Sequence, residues 1–188
     1  METMKKESKQ PVISVIMPAY QAKQYIGQAI ASVQNQTCEQ AWELLVIDDC
    51  STDGTMEAVR AYAADPRIHY VRQRKNRGVA AARNLGIRLA RGVYVAFLDA
   101  DDWWEEDKLR LQMERMARTE AVLVCTGREL MHPDGTPQGR VIGVPERITY
   151  EMLLRTNVIP CGSVLLRTDV AREFWFTCDK YHEDYILW

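Results

Sequence analysis

Residues 93–102 read VYVAFLDADD, an apolar run that ends abruptly in carboxylates. An apolar run bounded by charge is typical of a buried strand. Asp99, Asp101 and Asp102 therefore follow the carboxyl end of a strand, where open α/β sheets bind their ligands. Crowded carboxylates repel one another, and Mg²⁺ is commonly held by one or two carboxylates together with substrate phosphates. The stretch predicts a metal-bridged nucleotide site, with a solvated loop end as the alternative.

The same stretch also predicts where the next helix begins. Asp102 stands before Trp103, and Glu105 completes an Asp-x-x-Glu pattern, which is a capping box. We expect Asp102 to cap a helix that starts at Trp103, and this role leaves Asp99 and Asp101 for other chemistry.

Strand and helix patterns alternate along the first two thirds of the chain. Strands are predicted at 12–17, 44–47, 68–71, 93–98 and 121–125. Helices are predicted at 25–36, 56–64 and 79–90, and a further one carries Leu109, Met113 and Met116. Gly92 is expected to be the C-cap of the third helix. This alternation predicts an α/β fold with a mostly parallel central sheet flanked by helices on both faces.

The pattern becomes less regular after Thr126. Residues 132–135 predict a turn, and the glycines and prolines between 137 and 145 predict a loop-rich stretch. A short helix is expected at 150–155 and a strand at 163–166, with Thr168 as the N-cap of a helix over 169–173. We expect one domain over residues 11–188, preceded by a polar tail at 1–10.

Composition excludes several classes of protein. The 188 residues suit one domain. The net charge of −2 gives no electrostatic case for binding nucleic acid. The five cysteines are odd in number and widely spaced, which argues against a disulfide framework or a zinc site and favours a reducing cytosol. Neither a leader peptide nor an apolar run long enough to cross a membrane is evident.

Polar signals follow three of the predicted strands. Pro18, Ala19 and Tyr20 follow the first strand, Asp49 follows the second, and Asp99 and Asp101 follow the fourth. Because such ends gather at one edge of a parallel sheet, Tyr20 is positioned to cover a base, Asp49 to accept hydrogen bonds from a base or ribose, and the other two to reach a metal. The plainer alternatives are a strand-ending proline, a rim aromatic and an aspartate that caps the turn at Ser51.

Taken together, these motifs resemble the inverting glycosyltransferases of family 2. The matching pieces are VIMPAY at 15–20, VIDDCSTDGT at 46–55, NRG at 76–78 with ARN at 82–84, the Asp-x-Asp of residues 99–101, and Glu183-Asp184. They occur in the family's order across nearly all of residues 12–188. The resemblance implies the A-type glycosyltransferase fold and transfer of a sugar from a nucleotide diphosphate donor, commonly a UDP-sugar.

The resemblance also implies roles for individual residues. Pro18, Ala19 and Tyr20 would line the base pocket, and Asp49 would contact the uracil or its neighbouring groups. The donor site would also include Asn76, Gly78 and Arg83. Asp101 would bind Mn²⁺ or Mg²⁺, Asp99 would support the metal or contact the ribose, and Asp184 would be the general base. Without the upstream matches, His182-Glu183-Asp184 would instead be interpreted as an exposed acidic turn.

The family pattern also predicts how the chain is organised. Residues 11–126 would bind the nucleotide sugar, and 127–188 would begin an acceptor-side part that is cut short, because the family usually continues beyond this length. The acceptor would be a saccharide or a lipid-linked saccharide. We expect a cytoplasmic protein that works in cell-surface polysaccharide or glycan synthesis, with peripheral membrane association through the region that follows.

Other functions remain as alternatives at this point. A nucleotide-sugar-binding fragment without turnover would share the same motifs. A sugar nucleotidyltransferase would need a glycine-rich loop after the first strand, where this chain has Pro18-Ala19-Tyr20-Gln21-Ala22. The dinucleotide-binding Gly-x-Gly-x-x-Gly and the P-loop Gly-x-x-x-x-Gly-Lys patterns are both missing from the sequence, which disfavours a Rossmann dehydrogenase and a P-loop enzyme.

Overall fold

The computed structural model describes residues 10–132, 134–177, 184 and 188. Within these residues the strands are β1 (Ile13–Ala19), β2 (Trp42–Asp48), β3 (Ile68–Arg72), β4 (Tyr94–Phe97), β5 (Leu123–Val124), β6 (Arg128–Met131), β7 (Pro137–Ile142) and β8 (Leu165–Arg167). The helices are α1 (Ile26–Gln34), α2 (Thr55–Arg60), α3 (Val79–Leu89), α4 (Lys108–Arg118), α5 (Tyr150–Leu153) and α6 (Thr168–Glu173), and a 3₁₀ turn spans Cys161–Ser163.

In the described part of the chain, six strands form one sheet in the order β3-β2-β1-β4-β8-β5. The first four strands of that order are parallel, whereas β8 runs antiparallel to both β4 and β5. The prediction of a mostly parallel sheet is confirmed. Because parallel strands end at the same edge, the carboxyl ends of β1, β2 and β4 lie side by side and bring the three polar signals together.

The core has two halves because side chains alternate across each strand. Ile13, Val15 and Met17 of β1 point to the face that is covered by α1 and α4. Ile16 of the same strand points to the other face, where it packs with Ile87 of α3. The prediction of helices on both faces is therefore confirmed, and the parallel strands are buried on both sides.

The end of α3 differs from the prediction. Its C-cap is Ala90, so the expectation that Gly92 would cap it is wrong. Gly92 instead passes very close to β1, where an added Cβ would lie 2.7 Å from the amide nitrogen of Ser14. Only glycine fits there, because the obstacle is backbone and not a flexible side chain.

The start of α4 also differs from the prediction. The helix begins at Lys108, with Asp107 at its N-cap position, so the expected capping box from Asp102 with a helix start at Trp103 is wrong. The cap comes from Gln36, which follows α1 and whose Oε1 accepts a hydrogen bond of 2.9 Å from the Leu109 amide. Gln36 Nε2 donates to the Glu105 carbonyl at 2.7 Å. These bonds fasten the segment after the carboxylates to α1.

The C-terminal part contains more structure than the sequence predicts. The stretch expected to be loop-rich contains β7, which pairs with β6 in an antiparallel hairpin, and the Gly135 amide donates to the His132 carbonyl at 2.9 Å between them. The strand expected at 163–166 occupies Leu165–Arg167 and inserts beside β4, so this part shares the main core. The predicted N-cap role of Thr168 is wrong, because its hydroxyl donates to the Gly92 carbonyl at 2.7 Å. Among the described residues, no helix is long and apolar enough to cross a membrane.

Candidate active site

A cavity of about 490 Å³ opens at the carboxyl edge of the sheet. Eight of the residues singled out in the sequence line it: Pro18, Ala19, Tyr20, Asp49, Asn76, Gly78, Asp99 and Asp101. The structure therefore brings together the segments that follow β1, β2, β3 and β4. Tyr20 is 57% exposed, which leaves its ring at the mouth of the cavity, where it is free to stack on a ligand.

The loop after β1 is held by the loop after β2. The Gln21 amide donates to Ser51 Oγ at 3.0 Å, and the Ala22 amide donates to Thr55 Oγ1 at 2.9 Å. Gln21 adopts a positive φ of 52°, a conformation that non-glycine residues seldom adopt. Ser51 and Thr55 of the motif at 46–55 thus fix the loop after β1, which lines one side of the cavity.

Asp48 and Asp49 have different tasks. Asp48 is fully buried and accepts hydrogen bonds from the Ser51 amide at 3.0 Å and from the Tyr70 hydroxyl. It is therefore Asp48 that caps the turn at Ser51, and not Asp49 as the plainer alternative supposed. Both aspartates are structural in part, but only Asp49 also faces the cavity.

Asp49 organises the loop that follows β3. Its Oδ1 accepts from Gln73 Nε2 and from the Arg77 amide, each at 2.8 Å, and its Oδ2 accepts from the Gly78 amide at 2.7 Å. Gly78 has a φ of 85°, in the left-handed region that favours glycine, and an added Cβ there would meet no atom within 4 Å. A buried carboxylate that accepts three hydrogen bonds is held in a fixed orientation.

Asp99 is fixed by a buried arginine. Arg83 of α3 pairs with Asp99 Oδ1 at 2.7 Å, and the arginine side chain is only 4% exposed. Arg83 itself does not line the cavity; it lies behind Asp99 and contacts the site through that carboxylate. The ring of Phe176 lies 5.4 Å from the guanidinium, which places an aromatic face under the cation.

Asp101 and Asp102 concentrate negative charge beside Asp99. In the described part of the chain, neither carboxylate forms a hydrogen bond or an ion pair. Partial desolvation, together with the smaller effect of the charges of Asp99 and Asp101, raises the pKa of Asp102 to about 6, while Arg128 acts in the opposite direction. The loop thus gathers negative charge that a bound cation would offset.

The donor set fits a divalent cation that is completed by phosphate oxygens. No group of three His, Cys, Asp or Glu side chains among the described residues forms a metal cage by itself. Mg²⁺ and similar hard ions are usually held by one or two carboxylates, with substrate phosphates and water as the other ligands. Asp101, with Asp99 beside it, supplies oxygens of this kind at the edge of the cavity.

Asp184 lies outside the set of residues that line the cavity. Its Oδ2 accepts a hydrogen bond of 3.3 Å from Asn157 Nδ2. His182 and Glu183 fall outside the described residues. The segment that leads toward Asp184 is tied to α3, because Asn84 Nδ2 donates to the Phe176 carbonyl at 2.8 Å and the Phe176 amide donates to Asn84 Oδ1 at 3.0 Å.

Six cavity residues were given no binding role from the sequence. Gln21, Ala22, Tyr25, Val79, Ala82 and Ala100 also line the cavity. Tyr25, which is 45% exposed, adds a second aromatic ring to the lining that Tyr20 provides. The aromatic spacing of Tyr20 and Tyr25 on either side of a polar turn was the available signal. Apart from Gln21, the other residues are alanine or valine, and such side chains give no sequence signal for a binding role.

A comparison with protein families identifies the chain. The model of Glycosyl transferase family 2 matches residues 14–174. That match covers well over half of the chain, so the protein belongs to glycosyl transferase family 2, and the resemblance in the sequence is confirmed.

Curated relatives agree with this family. The chain is 39% identical over 179 residues to the putative teichuronic acid biosynthesis glycosyltransferase TuaG of Bacillus subtilis (strain 168), covering 95% of this chain and 71% of that protein. It is 36% identical over 177 residues to WfgD of Escherichia coli, a UDP-Glc:alpha-D-GlcNAc-diphosphoundecaprenol beta-1,3-glucosyltransferase, covering 94% and 68%. The prediction of a glycosyltransferase is confirmed at the level of the family.

Solved structures confirm the A-type glycosyltransferase fold. S. aureus TarS (residues 1–349) in complex with UDP superposes with a TM-score of 0.76 at 24% identity, covering 93% of this chain and 53% of that one. The mannosyltransferase PcManGT of Pyrobaculum calidifontis, in complex with GDP-Man and Mn²⁺, superposes with a TM-score of 0.71 at 25% identity. The match covers 94% of this chain and 50% of that one. The chain thus spans about half the length of these structures.

Proposed function

We propose that the protein transfers a sugar, with inversion, from a UDP-sugar to a hydroxyl of a saccharide or lipid-linked saccharide, with the help of Mn²⁺ or Mg²⁺. The observation that carries the proposal is the single cavity lined by Tyr20, Asp49, Asp99 and Asp101. An aromatic ring and an oriented carboxylate suit a base, and unpaired acidic oxygens suit a metal diphosphate. The UDP-Glc donor named for WfgD supports uridine as the base.

The chain's own groups would divide the binding work. Tyr20 stacks on the base, and Asp49 accepts a hydrogen bond from its edge while keeping the loop at Asn76 and Gly78 in place. Arg83 holds Asp99 toward the ribose or the metal. Asp101 is the direct metal ligand, and the cation it holds would stabilise the negative charge that develops on the departing diphosphate.

Transfer needs a base for the acceptor hydroxyl. We assign this role to Asp184, whose carboxylate takes the hydroxyl proton as the acceptor oxygen bonds to the anomeric carbon. The bond from that carbon to the diphosphate oxygen breaks on the opposite side, and its electron pair leaves with UDP. One displacement of this kind inverts the anomeric centre. A positioned general base contributes about 10²- to 10⁴-fold to the rate.

Two further features complete the proposal. Residues 11–126 form the donor-binding part and 127–188 begin the acceptor-binding part of one domain. The place of work is the cytoplasm, at the inner face of the membrane if the acceptor is lipid-linked, in the synthesis of a cell-surface polysaccharide. The diphosphoundecaprenol acceptor named for WfgD and the teichuronic acid named for TuaG support this setting.

Thermal shift with and without metal tests the donor site. UDP at about 100 times its dissociation constant should add about 2.7 kcal/mol of stability when Mn²⁺ is present. We expect most of this gain to disappear in chelator and in Asp101→Asn. Glu120→Gln, which removes an exposed carboxylate outside the donor cavity, is the matched control and should respond like the wild type. An equal shift in chelator would contradict metal dependence.

Asp184→Asn tests the base. This variant should bind UDP as the wild type does, yet transfer sugar about 10²- to 10⁴-fold more slowly. A loss of donor affinity as large as that of Asp101→Asn would show that Asp184 belongs to the donor site instead.

A further inference from the structure

A buried lysine lies behind the carboxylate loop and is not used by the proposed chemistry. Lys108, the first residue of α4, is 7% exposed. Its ammonium lies 3.9 Å from the centre of the Trp104 ring and donates a hydrogen bond of 2.7 Å to Gln112 Oε1. A lysine is rarely buried to this degree, because removing its charge from water is costly.

Gln112 links Lys108 to two backbone carbonyls, those of Ser163 and Val124. It is 2% exposed, and its Nε2 donates to the Ser163 carbonyl at 2.8 Å and to the Val124 carbonyl at 3.2 Å. Trp104 Nε1 donates to the Gly162 carbonyl at 2.9 Å. Lys108 thus stands at the centre of a network that fastens the turn Cys161–Ser163 from two directions.

The ammonium determines how Gln112 is oriented. A protonated lysine only donates hydrogen bonds, so Gln112 must present Oε1 to Lys108 and Nε2 to the two carbonyls. A neutral amine also accepts, and would tolerate the opposite amide orientation, in which both carbonyls lose their donor. Burial lowers the pKa of Lys108 to about 7, and the thiol of Cys125, the ionisable neighbour among the described residues, acts in the opposite direction.

The turn that this network holds lies next to the carboxylates. A Cβ added at Gly162 would lie 3.6 Å from Asp102 Oδ2. The donor cavity ends at Asp101 and includes no residue of the turn. The turn therefore borders the carboxylate loop outside the donor cavity.

We propose that Lys108 is a positioning residue that, through Gln112 and with Trp104, fixes the turn Cys161–Ser163 as a wall of the acceptor site. This inference rests on the proposed function, because an acceptor hydroxyl must approach the reacting end of the donor near Asp101. The donor cavity does not depend on the turn, so the network acts on the acceptor and on turnover and not on nucleotide affinity.

Lys108→Met tests the inference, since it keeps an unbranched side chain against Trp104 and removes the donor to Gln112. We expect transfer to fall about 10- to 100-fold, through a higher acceptor KM and a lower kcat, with the donor KM unchanged. Lys108→Arg, which retains a donor, should recover part of the loss. Arg118→Met removes an exposed cation from the same helix and should transfer like the wild type.

Two measurements do not depend on turnover. Amide exchange at Ser163 and Val164 should be about two- to tenfold faster in Lys108→Met than in Arg118→Met, because Gln112 is no longer oriented by Lys108 and holds the Ser163 carbonyl less firmly. The Trp104 contribution to emission, obtained by subtracting Trp104→Phe, should change near neutral pH in the wild type and not in Lys108→Met.

The outcomes separate this inference from the proposed function. A wild-type protein that binds no UDP with Mn²⁺ contradicts the proposed function, and the exchange rates then still decide whether Lys108 fixes the turn. A Lys108→Met variant with wild-type acceptor KM, kcat and exchange rates overturns the inference. Equal losses of donor and acceptor affinity also overturn it, because they indicate a general structural defect.

Discussion

At the scale of single residues, the site depends on carboxylates whose neighbours decide what each one does. Asp49 has three hydrogen-bond donors and serves as a fixed acceptor. Asp99 is paired with Arg83, whereas Asp101 and Asp102 have no such partner among the described residues. Identical side chains within one edge of the sheet thus become a loop organiser, an oriented ligand and two groups available to a cation.

Asp49→Asn tests whether UDP binding depends on the three hydrogen bonds that the Asp49 carboxylate accepts. An amide in place of the carboxylate turns an NH₂ group toward one of the donors that Asp49 now satisfies, so the loop at Gly78 must move. Hydrogen bonds to charged groups contribute about 1.5–3 kcal/mol, and we expect UDP affinity to fall about 10- to 100-fold. Titration calorimetry measures this, with Glu120→Gln as the control. Unchanged affinity would show that the loop does not contact the nucleotide.

Asp102 makes stability depend on pH. Its folded pKa of about 6 lies above the ordinary 3.8, so between these values the folded state holds more protons than the unfolded state. Stability without metal should therefore decrease as the pH rises from about 4 to 6. Asp102→Asn should remove this decrease and melt higher than the wild type at pH 7, but not at pH 4. Thermal melts in chelator at both values test it, and a difference that is independent of pH would contradict it.

At the scale of elements, loops and helix ends are held by residues distant in the sequence. The loop after β1 depends on Ser51 and Thr55, and the start of α4 depends on Gln36. The site therefore stands on a scaffold of side-chain to backbone bonds between neighbouring strand ends. We infer that the cavity is largely formed before any ligand arrives.

Gln36→Leu should show how much one distant cap contributes. The substitution leaves the buried Leu109 amide without its acceptor, whereas the Glu105 carbonyl still accepts from the Lys108 amide at 3.1 Å. A buried group left unsatisfied costs about 1–3 kcal/mol, and we expect a loss of this size in the free energy of unfolding. Urea unfolding measures it. The control Gln28→Leu, at an exposed position of α1, should change stability by less than about 0.5 kcal/mol.

An element could be predicted where its signal lies within its own stretch of sequence, and not where it depends on a residue far away in the chain. β1, β2 and β4 were predictable because both of their faces are buried, so each appears as a continuous apolar run. The cap of α4 was not, since Gln36 and Leu109 are 73 positions apart. The hairpin β6–β7 was missed because most of its side chains are exposed and carry little hydrophobic pattern. The cavity lining was predictable where polar residues follow strands, and not at Ala22 or Val79.

At the scale of the whole molecule, the donor part and the C-terminal part are joined through the sheet and through α3. β8 pairs with β4, and α3 offers Arg83 to Asp99 and Asn84 to Phe176 from consecutive positions. Phe176 also packs edge-on against Phe97, at the end of β4, with the ring centres 5.2 Å apart. One helix thus orients a donor-side carboxylate and anchors the segment that precedes Asp184.

Asn84→Ala should uncouple the two parts. It removes both hydrogen bonds to Phe176 and leaves two buried backbone groups unsatisfied, which should cost about 2–4 kcal/mol of stability. If α3 positions the segment before Asp184 as proposed, transfer should fall at least tenfold while UDP affinity stays within twofold, because Asn84 does not line the cavity. Urea unfolding, calorimetry and transfer assays on one preparation test this, with the exposed Asn35→Ala as the control. Parallel losses of UDP affinity and transfer would show that α3 supports the donor site alone.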